Sequence, residues 1–386
     1  MLMNDAKLPL PAGLETLSSQ VQHNCHISDA RSASDYTLCV YLLKMREYYR
    51  WEQGLPYGAA LSSAAIGDWL TAREELWESL LERDFQPLEI DGRHYDPFDA
   101  AAINRQLEPH RLLYSAGYGN KAKPHFFLAR LERKIEHSGY RIHISSQELA
   151  RDLTAPPAMS RDGEIFVRRE SLRRMVWEKL EEWRWNKPDN PMGRAIRYYD
   201  FDANLDAALE QMTDTEIEAL VLHEIGEVRA GEALGEVWRE MLGSFSRSKL
   251  ELMARAVRDH LADCLSTLPA LLQRQHPPSL HFYFANLSGM RRQIYPALLK
   301  AYDHWVKYGD TRELECQVEA GRSHWLQVAE ELVELHESRV KSAWQEMESL
   351  IERKSLGQKT KEGFYKKAGK EILALDLKTL EYHPKK

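Results

Sequence analysis

The chain has 386 residues, of which 43% are hydrophobic and 29% charged, with a formal net charge of −7. This is the balance of a folded protein of two or three domains, not of a disordered chain or of one that binds nucleic acid over its whole surface. The longest apolar run, "LCVYLL" at 38–43, is far too short for a membrane span. The first residues show no basic-then-apolar leader, and Cys25, Cys39, Cys264 and Cys316 form no CxxC pair. The expectation is a reduced, cytoplasmic protein without a membrane partner.

In chain order, the first 34 residues read as irregular. Ser34 or Asp35 then caps a helix through "YTLCVYLLKMREYYRWEQG", apolar nearly all round and therefore expected at the centre. "SSAAIGDWLTAREELWESLLERDF" predicts a second helix. Asp91-Gly92 sits between two alternating segments and predicts a two-residue hairpin. "DPFDAAAINRQLEPHRLLYSAGYG" reads as helix ending in glycine, and "HFFLARLERKIEHSG" as helix after a loop. "YRIHIS" alternates like a strand, with "GEIFVRRES" available to pair with it. The loop "LTAPPAMSRDG" between them marks a boundary near residue 160. "SLRRMVWEKLEEWRW" is helical, and 202–355 reads as long amphipathic helices broken near Gly243, "QHPPS" and "KYGD". The expected fold is therefore mainly α: a multi-helix bundle with a few short β-hairpins in the N-terminal half and near the C-terminus. The expected domains are 1–160, 161–352 and a basic tail, 353–386.

That tail carries ten Lys/Arg against four Asp/Glu. Its stretch "LGQKTKEGFYKKAGKEILALDLKTLEY" resembles the segment of 3-hydroxyacyl-CoA dehydrogenases built around K-T-x-x-G-F-Y. The resemblance covers about a tenth of the chain. Elsewhere no GxGxxG follows a strand, as the dinucleotide domain of that family requires. It implies at most a link to acyl-CoA metabolism, and no catalytic residue carries over.

Some chemistries find no motif: there is no P-loop and no G-x-S-x-G elbow. Cys25 lies between His23 and His26, "SAGYGNKAKPHFF" offers glycines and lysines to a phosphate, and "MRRQIYPALLKAYDHWVKYG" mixes basic with aromatic residues. For each of these an ordinary loop or amphipathic helix is the better reading.

The informative stretch is "ALVLHEIGEVRAGEAL", 219–234. At about 100° per residue, Ala219, Gly226, Ala230, Ala233, Leu234 and Val237 form one stripe. His223 and Glu227 point into or beside it, and Glu224 falls at its edge. A carboxylate on an apolar stripe is costly unless it is paired, protonated or bound to a cation. "VLHEIGE" resembles the H-E-x-x-H helix of zinc metallopeptidases, with Glu227 where the second histidine would stand. A second helix, "LELMARAVRDHLADCLSTL", puts His260 in its stripe and Asp263 at the rim.

Two antiparallel neighbours would present His223, Glu227, His260 and Asp263 together, a donor set suited to zinc, iron or manganese, with Glu224 as general base. His336, His304 and Glu47 are further candidates. The leading expectation is an enzyme with a metal or acid–base site between these helices, hydrolytic or redox, acting on an unspecified small molecule. The alternative is a non-enzymatic protein–protein interaction module, homo-oligomeric or with another protein, whose His/acid pairs are structural.

Overall fold

The computed structural model describes residues 10–119, 122–137, 139–161, 163–245, 248–352, 365–368, 371–375 and 382–384, with side chains as far as Ser338. The chain divides into two compact units. The larger takes in Met1–Ala233 and Phe245–Trp325, the smaller Leu234–Ser244 and Leu326–Lys386.

The larger unit opens with helices α1 (Leu17–Ser32), α2 (Leu38–Glu52) and α3 (Ser63–Leu80). A hairpin follows, β1 (Leu88–Ile90) and β2 (Arg93–Tyr95), then α4 (Ala100–Leu107). As predicted, the hairpin turns on Asp91-Gly92, with φ +49° and +71°, the double left-handed conformation a two-residue turn requires.

A five-stranded sheet comes next: β3 (Leu112–Tyr118), β4 (Pro124–His137), β5 (Tyr140–Arg151), β6 (Ala158–Arg161) and β7 (Glu164–Arg168), in the order β3-β4-β5-β7-β6. All its pairings are antiparallel except β5 with β7. The sheet is curled into a half-barrel. This corrects the expected multi-helix bundle with only short hairpins. β3 and the 14-residue β4, whose sequences suggest helix, lack a simple period of two for identifiable reasons. Leu112–Ala116 and His125–Ala129 are buried on both faces, and bulges between Leu128 and Arg133 shift the register of β4 against β5.

Register assigns the faces. Leu112, Tyr114, Phe126, Leu128, Ile142, Ile144, Ile165 and Val167 share the convex face, and they belong to cores completed by α1, α4 and the helices after the sheet. The other face carries Ser115, Phe127, His143, Phe166, Arg168, Met159 and Arg161. Ser115 on edge strand β3 and Met159 on edge strand β6 meet at 3.6 Å, so this face is the inside of the curl. Arg161 also donates from Nη1 to the carbonyl of Ala116 at 3.0 Å, tying the two edges together.

Two N-terminal expectations fail. Residues 17–32 form a helix, unreadable as amphipathic because its buried face is largely polar: Asn24, His26, Ser28 and Asp29 beside Leu17, Val21 and Cys25. The all-round apolar helix α2 is not central, for Leu38, Val40, Leu42 and Leu43 are exposed while its buried residues include Glu47 and Arg50.

Helices α5 (Arg169–Asn186) and α6 (Pro191–Ile196) lead to α7 (Leu205–Ser244), which breaks at Gly235, where φ is +73°. Next comes α8 (Lys249–Ala262), continued through a π-turn at Asp263–Thr267 into α9 (Leu268–Arg274). Then follow α10 (Pro277–Asn286), α11 (Gly289–Ile294), α12 (Pro296–Tyr308) and the start of α13 (Arg312–Glu352).

The smaller unit holds the end of α7, most of α13 and an antiparallel sheet of β8 (Tyr365–Ala368), β9 (Glu371–Leu375) and β10 (Tyr382–Pro384). The "LGQKTKEGF" part of the dehydrogenase-like tail lies outside the described residues. No helix among the described residues is long and apolar enough to cross a membrane.

Candidate functional site

α7 and α8 approach closely because residue 226 is glycine. A Cβ there would come within 2.3 Å of the carbonyl oxygen of Ala262. The contact sets the first turns of the site side by side. His223 Nδ1 meets Asp263 Oδ1 at 2.8 Å, and Glu227 Oε1 stands 3.6 Å from His223 Nε2, beyond hydrogen-bond distance.

Asp263 is fully buried and opens the π-turn, a local widening of the helix often found at functional positions. Its carboxylate also accepts from Thr267 Oγ1 at 3.1 Å, from the Tyr283 hydroxyl at 2.8 Å and from Arg291. Glu227 is held by Arg258 Nη2 at 2.7 Å, and Arg258 reaches Asp259 at 3.1 Å as well. From the sheet, the Ser160 hydroxyl lies 3.4 Å from Glu227 Oε2.

The electrostatics follow. Burial works against the charged form of His223, but Asp263 and then Glu227 overcome it and raise its pKa well above the usual histidine value. Burial likewise opposes ionisation of Asp263 and Glu227. Arg291 and His223 for the first, and Arg258 and His223 for the second, hold both well below the usual carboxylate range. His223 is thus an imidazolium between two carboxylates at neutral pH.

Glu224 differs. Burial, then the charge of Glu227, push it up to about 8 against a smaller opposing contribution from Ser160, and its Oε2 is buried without a partner among the described residues. It therefore stays protonated in neutral solution. The helical wheel placed it at the edge of the stripe, yet at 5% exposure it is deeper than His223 or Glu227, because the sheet edge with Ser160 covers that side.

His260, the fourth expected ligand, turns away. Its Nε2 bonds the carbonyl of Arg291 at 2.8 Å, and its ring stacks on Trp325 with centroids 4.9 Å apart. Burial lowers its pKa to about 4, so it is a neutral core histidine. Of the four proposed metal ligands, His223 is thus brought to Glu227 and Asp263, while His260 is not. Among the described residues, no three His, Cys, Asp or Glu side chains are placed to hold a metal ion.

The other candidates lie elsewhere. Glu47 is clamped by Arg46 and Arg50, His304 faces Glu313 at 3.6 Å, and His336 is half-buried. Cys25 is buried, with its thiol 3.3 Å from the carbonyl of Phe126, and His26 is bonded by Arg73 and Trp77, so that pair is structural.

Sequence reasoning missed Arg258, Arg291, Tyr283 and Ser160. Arg258 stands one turn before Ala262 and would ordinarily be assigned to solvent. Its one available signal was the need of a buried Glu227 for a cation.

Residues 16–168 match the N-terminal domain of a family of unknown function, DUF6866, and residues 173–354 match its C-terminal domain. The chain carries both domains of that family, in order. No curated protein and no solved structure matches it.

Proposed function

We propose that the α7–α8 cluster is an acid–base centre, and that the protein is an enzyme acting on a small polar molecule by proton transfer from His223. The reading rests on one observation: Asp263, itself fixed by three further donors, holds Nδ1 of His223, while the opposite nitrogen has no acceptor at hydrogen-bond distance in Glu227. A protonated Nε2 that is oriented but not consumed is what a general acid requires. The His223 side chain is 21% exposed, so the proton is within reach of a bound molecule. Arg258 and Glu227 would position that molecule's polar atoms, and neutral Glu224 would donate a hydrogen bond without adding charge.

Metal chemistry is the weaker reading, because Asp263 already accepts four hydrogen bonds and His260 faces a different core. Incubating the protein and its His223→Asn variant with a broad mixture of small metabolites, followed by mass spectrometry, tests the proposal. The enzyme reading expects at least one compound consumed by the parent and spared by the variant. If folded parent protein consumes nothing, or the variant consumes the same compounds, the reading is wrong and the interaction module takes its place.

A further inference from the structure

Helix α10 has chemistry on two sides. Tyr283 reaches Asp263 on one, and His281, two residues earlier, leaves the helix about 200° away from it. On that second side α10 meets α6 and α12. Asn190 caps α6 by accepting from the Gly193 amide at 2.8 Å, and Pro191 opens the helix. Arg194 and Arg197, three residues apart in this helical backbone, leave it on one side. The same spacing groups Tyr302 with Trp305 on α12, in the stretch that mixes basic with aromatic residues. His281, Arg194, Arg197 and Trp305 line a cavity of about 650 Å³, within the range that holds small ligands.

His281 is set up to donate into it. The residue is 8% exposed, and its ring packs against Tyr198 and Trp305, with centroids 6.3 and 4.8 Å away. Its Nδ1 meets the Tyr302 hydroxyl at 2.9 Å. That tyrosine is buried, and its hydroxyl also accepts from Arg194 Nη1 at 3.4 Å. Among the described residues it has no other hydrogen-bond partner, so its own hydrogen goes to Nδ1. Burial, then Arg194 and Arg197, lower the pKa of His281 to about 4, and the neutral ring carries its hydrogen on Nε2. Nε2 has no acceptor among the described residues and is the donor the ring offers to the cavity.

Arg194 is held before any ligand arrives, by Tyr302 and by Asp189, which accepts from its Nη2 at 3.2 Å. Arg197, with its side chain 67% exposed, approaches the same carboxylate only to 3.8 Å. The lining thus has two guanidinium groups sharing one carboxylate, beside a neutral N–H donor. Tyr198 and Trp305 add aromatic surface to it.

We propose that this cavity binds a small organic anion, a carboxylate or a phosphate monoester. Its acid oxygens accept from His281 Nε2, Arg194 and Arg197, and its body rests on Tyr198 and Trp305. Charged and neutral N–H donors around one space favour an oxyanion over a cation, and the aromatic surface favours an organic anion over an inorganic one.

Titrating the full chain with benzoate, phenyl phosphate, inorganic phosphate and benzylammonium, by calorimetry, tests this. Benzoate or phenyl phosphate should bind, and whichever binds tighter names the acid group. Inorganic phosphate should bind at least about tenfold more weakly than the better of them, and benzylammonium not at all.

Replacing Arg194 or His281 strands the buried Tyr302 hydroxyl, so the informative variants are at the exposed rim. Arg197→Glu should weaken the better ligand at least about tenfold and Tyr198→Ala about fivefold, both with the unliganded Tm unchanged. The proposal is overturned if neither aromatic anion binds, if inorganic phosphate or benzylammonium binds as well as they do, or if either rim variant binds like the parent.

Discussion

The chain builds the same pair twice. His125 Nδ1 lies 3.1 Å from Asp152, and His223 Nδ1 lies 2.8 Å from Asp263. Both aspartates are wholly buried. What separates the pairs is the other side of the imidazole. At His125, Gly119 closes over Nε2 and Cδ2 so tightly that a Cβ would stand 2.6 Å from them, and the pair is sealed against the sheet near Lys123 and Asp29. At His223 the far nitrogen faces Glu227 across 3.6 Å, with a fifth of the side chain exposed. A His–Asp pair is thus not by itself a site, because access to the second nitrogen decides what it can do.

The comparison can be broken at several depths. Asp263→Ala and Asp152→Ala should be the most damaging, each costing about 3–5 kcal/mol in urea unfolding, since each strands buried partners. If Asp263→Ala costs under about 1 kcal/mol, the anchoring of His223 is not as described.

The glycines come next. Gly226→Ala must push backbone against backbone and Gly119→Ala must displace His125, each by about 1–3 kcal/mol. The first should also disturb the His223 resonances in NMR, and the second those of His125.

Glu224→Gln is a pH experiment. The folded-state pKa of Glu224 is about 8 against an ordinary value near 4.5, so folded protein holds a proton between those limits that unfolded chain releases. That contribution is complete below about pH 4.5 and is lost as pH rises through about 8. The glutamine variant should therefore gain on the parent by up to about 4 kcal/mol between pH 5 and pH 8.5. Parallel stability profiles for the two proteins would refute the assignment. Glu216, also pushed up to about 8 by burial, leaves a remaining slope in both.

The smallest effect belongs to Leu42→Ser on exposed α2, expected within about 0.5 kcal/mol of the parent. A core-sized loss would restore the central position that its composition suggested.

Much of the site was legible because helical phase is local physics. His223 and Glu227 share a face one turn apart, and Asp263 reaches them from the next helix. Phase says which way a side chain leaves its helix but not which neighbour waits there, and so His260 was misassigned: its ring enters the Trp325 and Tyr295 stack. The π-turn at Asp263 has no signature in residue type.

In the fold, alternation in "YRIHIS" and "GEIFVRRES" identified β5 and β7, whose Ile142, Ile144, Ile165 and Val167 pack outward while His143 and Phe166 face in. It failed for β3 and β4, where two-sided burial and bulges erase the period, and for α1, whose buried face is built of Asn24, His26, Ser28 and Asp29 held by specific bonds.

Arg161 has a consequence for how the folded chain meets other chains. A sheet edge is a template on which a foreign strand can add, and long edges invite assembly into fibres. This sheet has two edges, β3 and β6, and its curl turns them toward each other. Arg161 then spends a charged side chain on a β3 carbonyl that a stranger would otherwise claim. The bond that ties the two edges together thereby also occupies one of the groups on which an added strand would have to pair.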